Sequence, residues 1–236
     1  MKSMITAAAV AAFAGSAFAG TIAFHEDFEG AAQWTSATSE FSDTFGDFWG
    51  NSATTTWGTF VEYFGADGNY FAGMDLDGEG ASLPITQTFN SFSISGLTDI
   101  TISVDLAEDQ DGTNEDWDDG VGVADFVDFE YQIDGGAWTN VFSVLAIDDP
   151  GTEFNQAPGI NGDAAFEITD TFETFTFDLA GVSGSSMAVR AIWNLNSGDE
   201  DLAIDNVLVT GVPVPAPGSA ALFGLAGFAA ARRRRA

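Results

Sequence analysis

The chain has 236 residues, 36 acidic against 6 basic, for a formal net charge of -30. Hydrophobic residues make up 45% and aromatic residues 13%, which supplies a packed core rather than a disordered polyacid. The acidic balance speaks against nucleic acid as a partner, since that needs a basic face, while the absence of cysteine and the single histidine, His25, exclude disulfides, thiolate chemistry and multi-histidine metal sites.

Residues 1–19 open with Lys2, continue as an Ala-rich apolar stretch and end in Ala17-Phe18-Ala19, the small-x-small pattern of a secretory signal peptide. Export is therefore expected, with Gly20 as the mature N-terminus. The segment 20–211 reads as one domain in which Arg190 is the only Lys or Arg. Its first stretch, Phe24 to Gly30, contains His25 beside Glu26 and Asp27; a lone histidine on a strand is expected to be structural. Residues 30–70, rich in Gly, Ser, Thr and aromatics, show no clear periodicity and suggest long loops. Asp75-Leu76-Asp77-Gly78-Glu79 is a short acidic turn with the hard oxygen ligands that calcium takes.

Beyond it, Ile100 to Leu106 alternates apolar and polar residues, the period of a half-buried strand. The densest acidic run follows, from Asp105 to Asp128. Asp109, Asp111 and Gly112 would fill positions 3, 5 and 6 of an EF-hand loop, but Ala107 at position 1 and Asp118 at position 12 do not fit one. A looser calcium loop through Asp109 and Asp111 and a plain solvated loop both remain as readings. Further strands are predicted from Phe126 to Ile133, Trp138 to Leu145, Phe172 to Leu179, Met187 to Leu195 and Leu202 to Val209. Gly135-Gly136 marks a hairpin between the first two of these. No window has a 3.6-residue period. The pattern predicts an all-β domain, an antiparallel β-sandwich of jelly-roll type.

Of the six tryptophans, Trp138 and Trp193 fall in strand patterns and are expected in the core. Trp49, Trp57 and Trp117 fall in loop-like sequence and are the candidate stacking platforms for a glycan. No G-x-S-x-G elbow and no phosphate-binding glycine motif is present. A glycan hydrolase is a third reading, since the many acids offer many carboxylate pairs that only their separations would distinguish.

The C-terminal segment 212–236 has an extended spacer with Pro213, Pro215 and Pro217, a small apolar stretch 219–231, and Arg232, Arg233, Arg234 and Arg235. As a helix, 219–231 would span roughly 20 Å, short of the ~30 Å hydrocarbon core. The arginines would hold the cytoplasmic side. This arrangement resembles the PEP-CTERM sorting signal of Gram-negative bacteria, with Val214 standing where that family has its glutamate. The resemblance implies an exosortase-type enzyme as partner, transient residence in the inner membrane, and release to the cell surface or matrix.

A second resemblance joins the two ends of the domain. Phe24 to Gly30, followed by Trp34, is similar to the first strand of secreted carbohydrate-binding-module and MAM-like jelly rolls. Leu202-Ala203-Ile204-Asp205-Asn206-Val207 is similar to their closing strand. It implies adjacent first and last strands and a structural calcium near Glu29 and Asp205, with backbone carbonyls completing its 6–8 oxygen ligands. The leading expectation is an exported, non-enzymatic surface or matrix protein; the alternative is a polysaccharide-binding module.

Overall fold

The computed structural model describes residues 20–43, 46–52, 56–57, 61–109, 117–118, 124–147, 156–198 and 200–215. Residues 1–19, expected as a signal peptide, together with Asp111 and the arginines 232–235, lie outside the described residues. In chain order the strands are β1 (Thr21–Glu26), β2 (Trp34–Thr35), β3 (Phe41–Ser42), β4 (Phe48–Ser52), β5 (Thr56–Trp57), β6 (Val61–Glu62), β7 (Tyr70–Met74) and β8 (Ile85–Phe89). They continue as β9 (Phe92–Ser93), β10 (Leu97–Ala107), β11 (Phe126–Ile133), β12 (Trp138–Ala146), β13 (Pro158–Ile160), β14 (Glu173–Leu179), β15 (Ser186–Asn194) and β16 (Asp201–Pro213).

Two antiparallel sheets enclose the core. In the first the order is β14-β10-β16-β7-β4-β3, with β1 also on β16; in the second it is β13-β12-β11-β15-β8-β2, with β9 also on β15. The result is the β-sandwich of jelly-roll type that the alternation predicts. Alternation is its cause. On β10, Ile100, Ile102, Val104 and Leu106 are buried while Thr101, Ser103 and Asp105 turn outward. On β15, Met187, Val189, Ala191 and Trp193 do the same from the opposite sheet. Each large side chain so buried contributes about 1.5–3 kcal/mol.

The β11–β12 hairpin turns on Asp134 and Gly135, whose φ values of 50° and 70° are both left-handed. Gly136 N donates to Ile133 O at 2.8 Å. The turn centre thus lies one residue earlier than the Gly135-Gly136 expected, because a type I′ turn needs left-handed backbone at both central positions and Asp-Gly supplies it.

Residues 30–70 are not simply long loops. They hold β2 to β6, mostly two residues long, too short for a period to register. Val61, Tyr63 and Tyr70 join Phe48, Met74 and Ala203 in a second, smaller apolar cluster. It covers the outer side of the first sheet, tied down by Phe64 N to Asp170 O at 2.7 Å and Phe172 N to Phe64 O at 2.9 Å. At the C-terminal end β16 continues to Pro213, which pairs with Leu97. Among the described residues no helix is long and apolar enough to cross a membrane.

Candidate functional site

The last strand carries a β-bulge that shapes the acidic site. Leu202 and Ile204 join the core, as do Val207 and Val209. The three-residue step between Ile204 and Val207 leaves Asp205 and Asn206 together on the outer side, with Asn206 at φ 49°. Asparagine tolerates that left-handed backbone better than most residues. Asp205 then stands opposite Asp105 of β10 and is only 2% exposed.

β1 comes from the other end of the domain and pairs with the same strand, Glu26 against Val207. The turn after it carries Asp27 and Glu29. The Glu29 carboxylate accepts from Asn69 N and occupies the space that Gly68 leaves open; Gly68 has φ +99°, so a side chain there would meet both strain and the carboxylate. Burial pushes the Asp205 carboxyl up to about 7, and the negative charges of Asp105, Glu29 and Asp27 push the same way. The Asn206 N–H, donating to Asp205 Oδ1 at 2.6 Å, opposes them. Asp105 is oriented by Thr174 Oγ1 at 2.5 Å and Asn206 Nδ2 at 2.9 Å. His25 Nε2 donates to Asn206 Oδ1 at 2.9 Å, so the one histidine buttresses the bulge.

A second carboxylate group forms where the β10–β11 and β15–β16 connections meet. Asp118, Asp125 and Glu200 each place an oxygen within 4.8 Å of the others. Asp125 and Glu200 are buried, each 1% exposed. Asp125 Oδ2 accepts from Asp118 N at 2.6 Å, and Asn196 Nδ2 donates to Asp125 Oδ1 at 3.1 Å. Glu200 Oε2 accepts from Asn196 N at 2.6 Å and Ser197 N at 3.0 Å. Burial, then the hydrogen bond and charge of Asp125, push Glu200 up to about 9. A third group, Asp43, Asp47 and Glu79, lies at a more open turn. Beside it Asp75 is pushed up to about 6 by burial and by Asp47 and Asp77.

Among the described residues no lysine or arginine pairs with these groups. Arg190 is the only Lys or Arg between residues 20 and 215. Its Nε donates to Glu130 Oε2 at 2.6 Å, and its guanidinium sits 4.3 Å from the centre of the Trp138 ring. Buried carboxylates without a counter-charge must hold protons or bind a cation. Hard, clustered oxygen donors with neighbouring amides are the chemistry that suits calcium.

The structure corrects several expectations. Trp49 and Trp117 are fully buried, both 0% exposed, so neither offers a ring face to a sugar. Trp49 is wedged edge-on between Trp34 at 5.7 Å and Phe71 at 4.9 Å, because so large an apolar surface gains more from the core than from water. The backbone of Trp57 pairs with Val61 in β5–β6, and its side chain lies outside the described residues. Trp138, expected in the core, is half-buried under Arg190, whereas Trp193 is in the core as expected. Asp109, expected with Asp111 in a loose calcium loop, donates its N–H to Asp201 Oδ1 at 3.0 Å, beside Tyr63 Oη, which donates to the same oxygen at 2.6 Å; Asp111 lies outside the described residues. Sequence reading missed Asp125 and Glu200 as partners, because they are far apart in the chain and only the loop crossing brings them together. The proline Pro213 is part of β16, and Pro215 follows it on the surface.

No protein-family model and no curated protein matches the chain. Among solved structures, it is similar to the CBM22-1 xylan-binding domain of Paenibacillus barcinonensis Xyn10C, with 13% identity and a TM-score of 0.37, over 84% of this chain and 99% of that one. It is also similar to the K3 cleaved adhesin domain of Lys-gingipain from Porphyromonas gingivalis, with 12% identity and a TM-score of 0.44, over 81% and 100%. The Stig cyclase Fisc from Fischerella is another, with 13% identity and a TM-score of 0.45, over 83% and 99%. At these identities the likeness is one of shape, and no residue role passes across it.

Proposed function

We propose that the chain is an exported, non-enzymatic module of the cell surface or extracellular matrix, whose fold is closed by calcium. The observation that carries this reading is the gathering of carboxylates from distant parts of the chain into shared, largely buried clusters. Asp27 and Glu29 come from the first strand's turn and Asp105 and Asp205 from β10 and β16. Asp118, Asp125 and Glu200 gather at the loop end. When bound, calcium would replace mutual repulsion by coordination and tie the first strand to the last. Asp205 and Glu29 would hold it with Asp105 and Asp27; Asp125, Glu200 and Asp118 would hold another ion.

Export rests on the signal-peptide pattern of 1–19. Sorting by an exosortase-type enzyme rests on the PEP-CTERM-like tail with Pro213, Pro215 and Arg232 to Arg235. The test has two arms. Fractionated producer cells should hold a form lacking residues 1–19 at the surface or in the medium, and full-length protein confined to the cytoplasm would refute export. In the second arm, the melting temperature should rise with millimolar calcium and fall with chelator. A ligand bound only by the native state adds RT ln(1 + [L]/Kd), about 2.7 kcal/mol at a hundredfold excess over Kd. An identical melting temperature in calcium and in chelator would refute the calcium-closed fold.

A further inference from the structure

An open sheet edge presents a row of unpaired N–H and C=O groups to any other chain, and folded proteins blunt such edges. Several edges of this sandwich are blunted. β2, β3 and β9 are two residues long, and β13 has three and begins at Pro158. β1 breaks register between Ile22 and Phe24, and β12 breaks register against β11 between Phe129 and Glu130. β14 has none of these guards. It pairs with β10 from Ile100–Leu179 to Leu106–Glu173 without a shift in register. It contains no proline, lysine or arginine, and its run of Thr and Phe suits an extended strand. Among the described residues no strand lies on its other side, and no turn or loop reaches the main chain of 173–178 with a hydrogen bond from there.

The two faces of this edge differ. Thr174, Thr176 and Asp178 are exposed and lie opposite the outward-facing Asp105, Ser103 and Thr101. Phe175 and Phe177 lie opposite Val104 and Ile102, on the face that turns to the core. A strand laid along β14 continues the pleat, so its side chains extend these two rows alternately. A groove of about 460 Å³ separates β14 from the β11–β12 hairpin of the opposite sheet, with Tyr131, Val141, Phe177 and Leu179 in its lining. It leaves room for the row that follows Phe175 and Phe177.

Charge selects the occupant. Asp178 stands in the outer row, Glu173 is exposed at the start of the strand, and the whole chain carries -30. Two copies repel one another at this edge, whereas a strand with lysine or arginine in its outer row is attracted to it. Like charge thus guards against self-pairing, the task that a lysine performs on other edges, and leaves this one open to a partner of opposite sign.

We propose that β14 is a strand-addition edge, which takes an extended segment of a partner protein in which apolar residues alternate with lysine or arginine. Main-chain hydrogen bonds supply affinity, the apolar side chains enter the groove, and the basic ones line up with Asp178. The test is titration of the full chain with the peptide Lys-Val-Lys-Val-Lys-Val-Lys at physiological salt, where charges more than about 8 Å apart are screened. The contrast is Lys-Pro-Lys-Pro-Lys-Pro-Lys, of equal charge, whose prolines fix φ away from the strand value and remove donors. The valine peptide should bind more tightly by about tenfold. Its binding should slow amide hydrogen exchange at every second residue of 173–178, those whose N–H groups β10 does not already hold. Asp178→Lys should weaken binding about fivefold, whereas Glu62→Lys, an equal change of net charge on β6, should weaken it by at most about twofold. Equal affinity for the two peptides, or unchanged exchange within β14, would overturn strand addition. Equal loss in the two variants would overturn this edge as the site and leave only diffuse attraction between opposite charges. A free chain that sediments as a dimer, with its β14 amides already protected, would overturn the basic partner in favour of a second copy.

Discussion

Removal of calcium should reverse the pH dependence of stability. In chelator, Glu200 holds its proton in the folded state up to about 9, whereas an ordinary glutamate loses it near 4.5. A folded-state value raised above the unfolded one contributes stability below the unfolded value, and that stability is lost as pH rises through the folded one. Between those two values each pH unit is worth about 1.4 kcal/mol, or about 6 kcal/mol for the whole interval. Glu200 and Asp125 share one proton between them, so only part of this belongs to Glu200, and halving it leaves about 3 kcal/mol. For a domain of this size that is a fall in melting temperature of about 6–12 °C between pH 5 and pH 9. Asp205, pushed up to about 7, adds a fall in the same direction from about pH 4 to pH 7. With millimolar calcium the slope should change sign, because the ion binds only the ionised carboxylates and binding strengthens as they deprotonate. Scanning calorimetry at pH 5, 7 and 9, in chelator and in calcium, reads both slopes. Parallel curves in the two conditions, or a chelator curve that rises with pH, would refute the reasoning.

Asp205→Asn should raise the melting temperature in chelator at pH 8, since a buried charge is removed, and should reduce the gain on adding calcium; thermal melts under both conditions check it. Gln87 is 0% exposed, and neither its Nε2 nor its Oε1 has a hydrogen-bond partner among the described residues. Gln87→Met, close in length and apolar, should therefore raise stability by about 1–2 kcal/mol in urea unfolding. A loss of that size instead would mean that the amide is bonded to buried water. Asn206→Ala should cost about 1–2 kcal/mol by the same measurement, because it strains the left-handed bulge and leaves Asp105 and His25 without their shared partner.

The all-β sandwich was legible from the sequence because period-2 alternation is a local property. Strands such as β10, β11 and β14 bury every second residue, and that choice is written in consecutive letters. The signal-peptide-like pattern of 1–19 and the Pro-, Ala- and Arg-rich tail are likewise compositional, read without any fold. What a tryptophan faces is not local. Trp49 and Trp117 sit in sequence that looks like loop, yet the sandwich closes over both, while Trp138, in a clean strand pattern, lies under Arg190. The bulge at Asn206 depends on register between β16, β10 and β1, so no single stretch of sequence shows that Asp205 turns toward Asp105. Glu200 and Asp125 meet only because the loops they occupy end at one side of the sandwich. The groove at Phe177 arises in the same way, from a gap between two sheet edges whose strands are distant in the chain. Alternation decided which residues are buried along each strand; the pairing of distant strands decided which charges and rings face one another.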